Sequence, residues 1–404
     1  MEIHAAPWVF PAEGPPLAGR ALLVSGGRVR EVGGHRELAR RWPGARVVDW
    51  PDCALTPALV NAHAHLELTG LGVPPAPRDF VEWVLEVIAR KRGAAAGALR
   101  QGIRQGAAQC LALGQGVVAD VVSDPSAWTA YPAEGLLVRG FPEVIAGRAA
   151  DADAAVETAA PPSLREDPRW AGLSPHAPYT ACRETYLRCW AAARAGGGRV
   201  TTHLAESAAE IAFCRDGGGP ILERLYAAVP ASPPPCPGAH PVDWLDRIGV
   251  LGPGTLAVHL VHLDQAQVER LARSGAKAVL CPRSNRLLSG RAAPGRALLD
   301  AGVTVALGTD SALSAGDLDL WQDVRCAVED YGWSPGEALR AATLGGARAL
   351  GLDGDRGALT PGRRADLVVR PLGPGADPWE RLLGAGPPAA VWVGGRPAAG
   401  PAAG

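Results

Sequence analysis

The chain has 404 residues, a formal net charge of -1 and a 47% hydrophobic composition. That length exceeds a single sandwich and suits a large α/β barrel with a small extra domain, and the apolar share can fill a sizeable core. The near-neutral balance leaves no basic footprint for nucleic acid, and neither a charged-then-apolar leader nor a membrane-length apolar run is present, so a cytoplasmic protein is expected.

Eight cysteines are scattered at positions 53, 110, 182, 189, 214, 236, 281 and 326 without a Cys-x-x-Cys pair. They read as free thiols of a reducing compartment. Lysine occurs only at Lys91 and Lys277.

Residues 1–56 read as strand and turn. Ala21–Arg30 is predicted as a hairpin with Gly26 and Gly27 at its turn, and Arg46–Trp50 as a further strand. From Thr56 short apolar strands alternate with helical stretches, the rhythm of a parallel sheet with crossover helices. Eight strands are predicted: Leu59–His65, Gly116–Val122, Leu136–Ile145, Gly172–His176, Arg199–His203, Leu256–Leu263, Ala276–Pro282 and Val303–Gly308. Helical segments between them include Asp79–Leu113, Arg183–Ala195, Asp264–Ser274 and Asp317–Tyr331. Eight such units close into a (β/α)8 TIM-type barrel over residues 57–352, whose chemistry belongs at the C-terminal ends of the strands.

Cys214–Gly249, rich in Gly and Pro, reads as one long loop: a lid or binding loop, or a plain insertion. Beyond Leu352 the rhythm stops. Gly357–Arg370 and Ala390–Gly395 read as strands that would join 1–56 in a small β-sandwich made from both termini, with boundaries 1–56 and 353–404. The Ala398–Gly404 tail is expected to fray.

Polar residues cluster at strand exits. Strand one ends in Leu-Val-Asn-Ala-His63-Ala-His65-Leu-Glu67. An i, i+2 spacing puts both imidazoles on one face of a strand, a ready pair of metal ligands, though two histidines leaving a strand can also be mere polar residues. Strand five ends in Thr-Thr-His203-Leu-Ala-Glu206 and strand eight in Leu-Gly-Thr-Asp310-Ser. His203 and Glu206 could equally be a core histidine and a helix cap, and Asp310 could pair with an arginine. Together His63, His65, His203 and Asp310 converge only if the barrel closes, and then suit one Zn2+ or Fe2+ ion. His176 ends strand four. His259 and His262, three apart on strand six, point to opposite faces, so only one serves the site, and His259 is favoured. Cys-Pro-Arg-Ser-Asn285 leaves strand seven at the same rim. His4, His35 and His240 read as surface residues.

These motifs, in this order, resemble the amidohydrolase superfamily and its cytosine-deaminase-like branch. They are Asn-Ala-His63-Ala-His65-Leu, Ser-Pro-His176, Thr-His203-Leu-Ala-Glu206, Val-His259, Cys-Pro-Arg-Ser-Asn285, Gly-Thr-Asp310-Ser and Gly357-Ala-Leu-Thr-Pro-Gly. The resemblance implies one divalent ion held by His63, His65, His203 and Asp310, with Glu206 as proton shuttle, His259 orienting or polarising together with Asp310, and His176 contacting substrate. Relatives with two metals use a carboxylated lysine at the end of strand four, and neither lysine here is placed for that. Asn-Ala-His-Ala-His-Leu-Glu67, Phe80-Val-Glu-Trp83-Val and Pro241-Val-Asp-Trp-Leu-Asp look like the aminodeoxyfutalosine deaminase group, which removes an adenine amine in a menaquinone pathway. S-adenosylhomocysteine/methylthioadenosine, guanine and cytosine deaminases share most of these motifs, and cleavage of a cyclic amide is a further option. The implied partner is a small-molecule substrate, with no nucleic acid or membrane and with room for a homodimer. Its specificity contacts are expected in Glu67–Trp83, Arg139–Arg148 and the 214–249 insert, with Glu67, Trp83, Arg139 and Asn285 as candidates. Phe80 and Trp83 would stack on a base or pack a helix against the barrel.

Overall fold

A computed structural model describes residues 1–72, 79–160 and 165–399. Eight parallel strands run in sequence order, each paired to the next: Leu59–Ala64, Gln115–Val122, Leu137–Val144, Gly172–Pro175, Arg199–Leu204, Thr255–His259, Lys277–Leu280 and Val305–Leu307. We call these strands one to eight. Val and Ala dominate them, as expected where both faces of a strand are covered. Val117 and Phe141 of strands two and three share a buried cluster with Val258 and Val279 of strands six and seven. Residues from opposite sides of a sheet meet in this way only if it curls into a barrel.

The barrel closes between strands one and eight through a single parallel bridge, Ala64 with Asp310. The backbone contributes Asp310 N–H to the His63 carbonyl at 3.1 Å and His65 N–H to the Asp310 carbonyl at 3.4 Å. Below this, side chains replace the ladder. Asn61 Nδ2 donates to Thr309 Oγ1 at 2.8 Å and to Gln115 Oε1 at 3.1 Å, while Asn61 Oδ1 accepts the Thr309 N–H at 3.1 Å. All three residues are fully buried. Strand one also carries a register irregularity between Asn61 and Ala64, a bulge of the kind that re-aims a side chain beside a site. Gly308 makes the close approach feasible, because a Cβ there would stand 2.8 Å from the His63 carbonyl oxygen and 2.9 Å from its Cβ.

The chain ends supply two further sheets. One has four strands, Arg28–Gly34, Arg20–Ser25, Glu2–Ala5 and Arg46–Asp49, and contains the expected hairpin, with Ser25 opposite Arg28. The other interleaves both ends of the chain: Arg396–Ala399, Ala390–Val393, Leu367–Pro371, Cys53–Pro57, Trp8–Val9 and Leu17–Ala18. Leu22 and Val29 of the first share a core with Leu55, Val369 and Trp392 of the second. The expected strand 357–370 forms only over Leu367–Pro371. Part of the supposedly frayed tail, Ala398 and Ala399, is paired in a strand; residues 400–404 lie outside the described residues.

Three expectations change. The predicted helical stretch 79–113 is two helices, Phe80–Gly93 and Ala98–Ala112, separated by a break in which Gly97 takes φ 84°. The 214–249 insert is not one loop but is about half helical, with turns at Ile221–Leu225 and Tyr226–Ala228 and a helix at Pro241–Arg247, because Leu225, Val242, Trp244 and Leu245 have apolar partners to bury against. His4 and His240 are buried rather than on the surface. His4 pairs with Glu2 at 3.1 Å and sits edge-on to Trp392, and His240 caps Pro241–Arg247. Among the described residues no helix is long and apolar enough to cross a membrane.

If the seam rests on side chains, Asn61→Ala should lower unfolding free energy by about 1–3 kcal/mol, the usual cost of leaving buried partners unmet. A urea midpoint equal to wild type would remove that role. Gly308→Ala should displace strand eight from His63 and reduce bound metal per chain, as read by elemental analysis.

Candidate active site

The strand exits converge on a cavity of about 390 Å³, within the usual range for small-molecule sites. His65, His176, His203, Glu206, His259 and Asp310 line its polar floor. His65 Nε2 stands 3.2 Å from His203 Nε2. Asp310 Oδ1 lies 3.5 Å from His65 Nε2 and 3.7 Å from His63 Nε2. Two nitrogens bonded at about 2.0–2.1 Å to one tetrahedral ion stand about 3.3–3.4 Å apart, so these separations match the edges of such a site.

Hydrogen-bond partners fix which nitrogens are free. His203 Nδ1 donates to the His176 carbonyl at 3.0 Å, leaving Nε2 with its lone pair toward His65. His259 Nδ1 donates to Asn285 Oδ1 at 2.9 Å, freeing Nε2, which faces Glu206 Oε1 at 3.5 Å. His63 Nε2 is buried without a hydrogen-bond partner. The lone pair of His203 Nε2 facing His65 Nε2, beside an orphaned imidazole nitrogen and a carboxylate oxygen, forms a donor set that fits a divalent cation. Ligand atoms of His63, His65 and Asp310 lie within 4.8 Å of one another, as do those of His63, His203 and His259.

Electrostatics keeps the set ready. Burial lowers the pKa of His63, His203 and His259, and burial with the neighbouring His63 takes His65 to about 3, so the rings are neutral at pH 7. Burial pushes Asp310 up, but the neighbouring His63, His65 and His259 outweigh it and hold the carboxyl well below its ordinary value. Asp310 Oδ2 also accepts from Ser284 Oγ and Ser314 Oγ, each at 2.7 Å. Burial, reinforced by the charge of Asp310, pushes Glu206 well above the carboxylate range. The two carboxyls of one cavity are thus shifted in opposite directions.

The backbone is bent to achieve this. Asp310 (φ 59°), His259 (72°), Leu260 (56°) and Ala205 (52°) all take left-handed conformations that non-glycine residues rarely adopt. Such strain persists only where surrounding bonds enforce it. Glu210, fully buried, accepts the N–H groups of Ala205 at 2.9 Å and Glu206 at 2.8 Å, and so anchors the segment bearing Glu206.

Of the substrate candidates, His176 and Trp83 line the cavity. His176 Nδ1 is 2.7 Å from Thr180 Oγ1, whose proton goes to the Ala177 carbonyl; Nε2 is therefore an acceptor. Trp83, with Phe80, belongs to an apolar wall from Phe80–Gly93 that faces Leu225 and Tyr226 of the insert. Packing and lining coincide here, since both rings are also buried against that helix's surroundings.

Three candidates lie elsewhere. Glu67 does not line the cavity: it is 1% exposed and is consumed by Lys91 Nζ at 3.0 Å and by Ser123. Arg139, near the N-terminal end of strand three, donates to the Pro168 carbonyl at 2.9 Å and feels the charge of Arg199 at the start of strand five, at the opposite mouth of the barrel. Asn285 touches His259 rather than the cavity, so it acts on a site residue. His262 is outside the cavity lining, with its carbonyl bound to His240. The candidate range 67–83 includes residues 73–78, outside the described residues.

Lys91 and Glu143 also line the cavity; Glu143 falls inside the Arg139–Arg148 stretch expected to carry specificity contacts, although it is not singled out there. Glu143 follows the exit rule at strand three and was readable from Phe-Pro-Glu; Lys91 reaches in from a helix, and nothing in its spacing announces that.

Comparison with known proteins agrees with this geometry. The model of the amidohydrolase family matches residues 54–398. The chain is 34% identical over 349 residues to the aminodeoxyfutalosine deaminase of Deinococcus radiodurans, covering 82% of this chain and 81% of that protein. It is 30% identical to a 5-methylthioadenosine/S-adenosylhomocysteine deaminase of Nitratidesulfovibrio vulgaris, covering 87% and 79%. A crystal structure of an adenosine deaminase from Xanthomonas campestris with bound zinc superposes with a TM-score of 0.81 at 27% identity, covering 98% of this chain and 92% of that one. With its barrel, its histidine and aspartate cluster and this match over most of its length, the chain belongs to the amidohydrolase family.

Proposed function

We propose that this protein is a metal-dependent hydrolytic deaminase that releases ammonia from an adenine-type nucleoside. The specific substrate proposed is aminodeoxyfutalosine, in menaquinone biosynthesis, as for the Deinococcus relative. The observation that carries the reading is the 3.2 Å approach of His65 Nε2 to His203 Nε2, with Asp310 Oδ1 at 3.5 Å and Glu206 in the same cavity.

His63, His65, His203 and Asp310 would hold the ion, with Zn2+ as first choice and Fe2+ as the alternative to test. Such an ion supplies a Lewis acid that lowers the pKa of a bound water from about 15.7 towards about 7. Glu206 takes the proton from the attacking water and returns it to the ring nitrogen beside the amine-bearing carbon; the proton left on the added oxygen then passes to the amine, the carbon–nitrogen bond breaks and ammonia leaves as the carbonyl forms. Its raised pKa makes it a stronger base than an ordinary carboxylate. Asp310 and His259, fixed by Ser284, Ser314 and Asn285, would stabilise the developing charge without having to reorganise. The His176 Nε2 acceptor and the apolar wall around Trp83 suit an aromatic base with an apolar extension. The cysteines among the described residues are all free thiols, which supports a cytoplasmic location.

Glu206→Gln should retain metal and lose about 10²-fold or more in kcat, the usual worth of a positioned proton carrier; ammonia release near the wild-type rate would exclude Glu206 from the chemistry. His63→Ala and Asp310→Ala should each purify with markedly less zinc or iron by elemental analysis, and a full complement in both would overturn the ligand assignment.

A further inference from the structure

Glu143 is the next-to-last residue of strand three and pairs in register with Ser174 of strand four, one step before the turn that carries His176. It is partly buried and lines the cavity. It takes no hydrogen bond from any described residue. Burial raises its pKa, but His176, Lys91, His65 and His63 around it more than compensate, so the carboxyl is ionised.

An ionised carboxylate is acceptor-only, with about four lone-pair sites, and leaving it unmet in a partly buried position is costly. The nearby donors Lys91 and His176 make their hydrogen bonds to other groups. Lys91 Nζ is bound to Glu67 at 3.0 Å and to Ser123. His176 Nδ1 is used by Thr180. Nor does Glu143 belong to either cluster of ligand atoms that could share an ion. What remains is a donor on the molecule that enters the cavity. A carboxylate presents two oxygens side by side, which matches two adjacent hydroxyl groups and little on a purine ring, whose edge offers mostly acceptors.

We propose that Glu143 accepts hydrogen bonds from the vicinal hydroxyls of the substrate's sugar and so selects ribonucleosides over deoxynucleosides. This rests on the nucleoside-deaminase reading above and adds to it a specificity residue on strand three. Base and sugar then have separate anchors: Glu206 and the metal-ligand cluster at the reacting edge of the ring, and Glu143 on the flank shared with His176.

The test compares adenosine with 2′-deoxyadenosine and 3′-deoxyadenosine on zinc-loaded wild type, Glu143→Gln and Glu143→Ala, reading both binding by calorimetry and ammonia release. Wild type should favour adenosine by about ten- to a hundredfold, the range for hydrogen bonds to a charged group. In both variants that preference should fall to about threefold or less, while metal content stays near wild type. A preference that survives in the variants, or is absent from wild type, overturns the role of Glu143. Glu143-dependent binding preference without ammonia release would keep this proposal and overturn the deaminase reading. Deamination of all three nucleosides at equal rates would do the reverse. Wild type that neither binds nor deaminates any of them would overturn both.

Discussion

The seam between strands one and eight is the constraint on which the rest of this structure depends. Strand eight is three residues long and meets strand one through a single bridge, so the ordinary ladder is too short to hold it. Asn61 supplies the missing bonds by capturing both the backbone and the hydroxyl of Thr309. The residue after Thr309 is Asp310, and the residue two beyond Asn61 is His63. Closing the barrel therefore also brings together the candidate ligand cluster. The same economy explains Gly308, since any side chain there would push the carboxylate away from the imidazoles.

Around that seam the protein separates two jobs by distance from the cavity. Residues at the floor carry lone pairs and protons; a layer behind them removes their freedom. Ser284 and Asn285, in the first turn of the helix Pro282–Ser289, each hold one floor residue, Asp310 and His259 respectively. Arg283, just before them, bonds to Asp317 and Asp323 and ties that turn to the neighbouring rim. Three successive residues thus lock one helix to the rim and two site residues to the helix.

Much of this was legible in the sequence. The eight strands fall within a few residues of their expected places because apolar runs bounded by polar exits are a strong local signal. His63, His65, His203, Glu206 and Asp310 could be picked out because each sits where a strand ends, and closure of a barrel then brings those ends together. The failures also have physical causes. Glu67 and Arg139 sit next to good positions, but burial and strand polarity send them elsewhere, the one into a pair with Lys91 and the other to the far mouth. The helical character of the insert depends on apolar partners distant in sequence. Lys91 looked irrelevant because a helix position does not reveal which way a long side chain will run.

The scarcity of lysine acquires a practical meaning once both residues are located. Lys277 begins strand seven and caps its own turn by donating to the Gly275 carbonyl, at the barrel's floor end. Lys91 enters the cavity at the other end. Side-chain amine chemistry on this chain is thereby sorted into two addresses on opposite faces. An acylating or methylating reagent becomes a reporter of pocket occupancy, with Lys277 as its built-in reference.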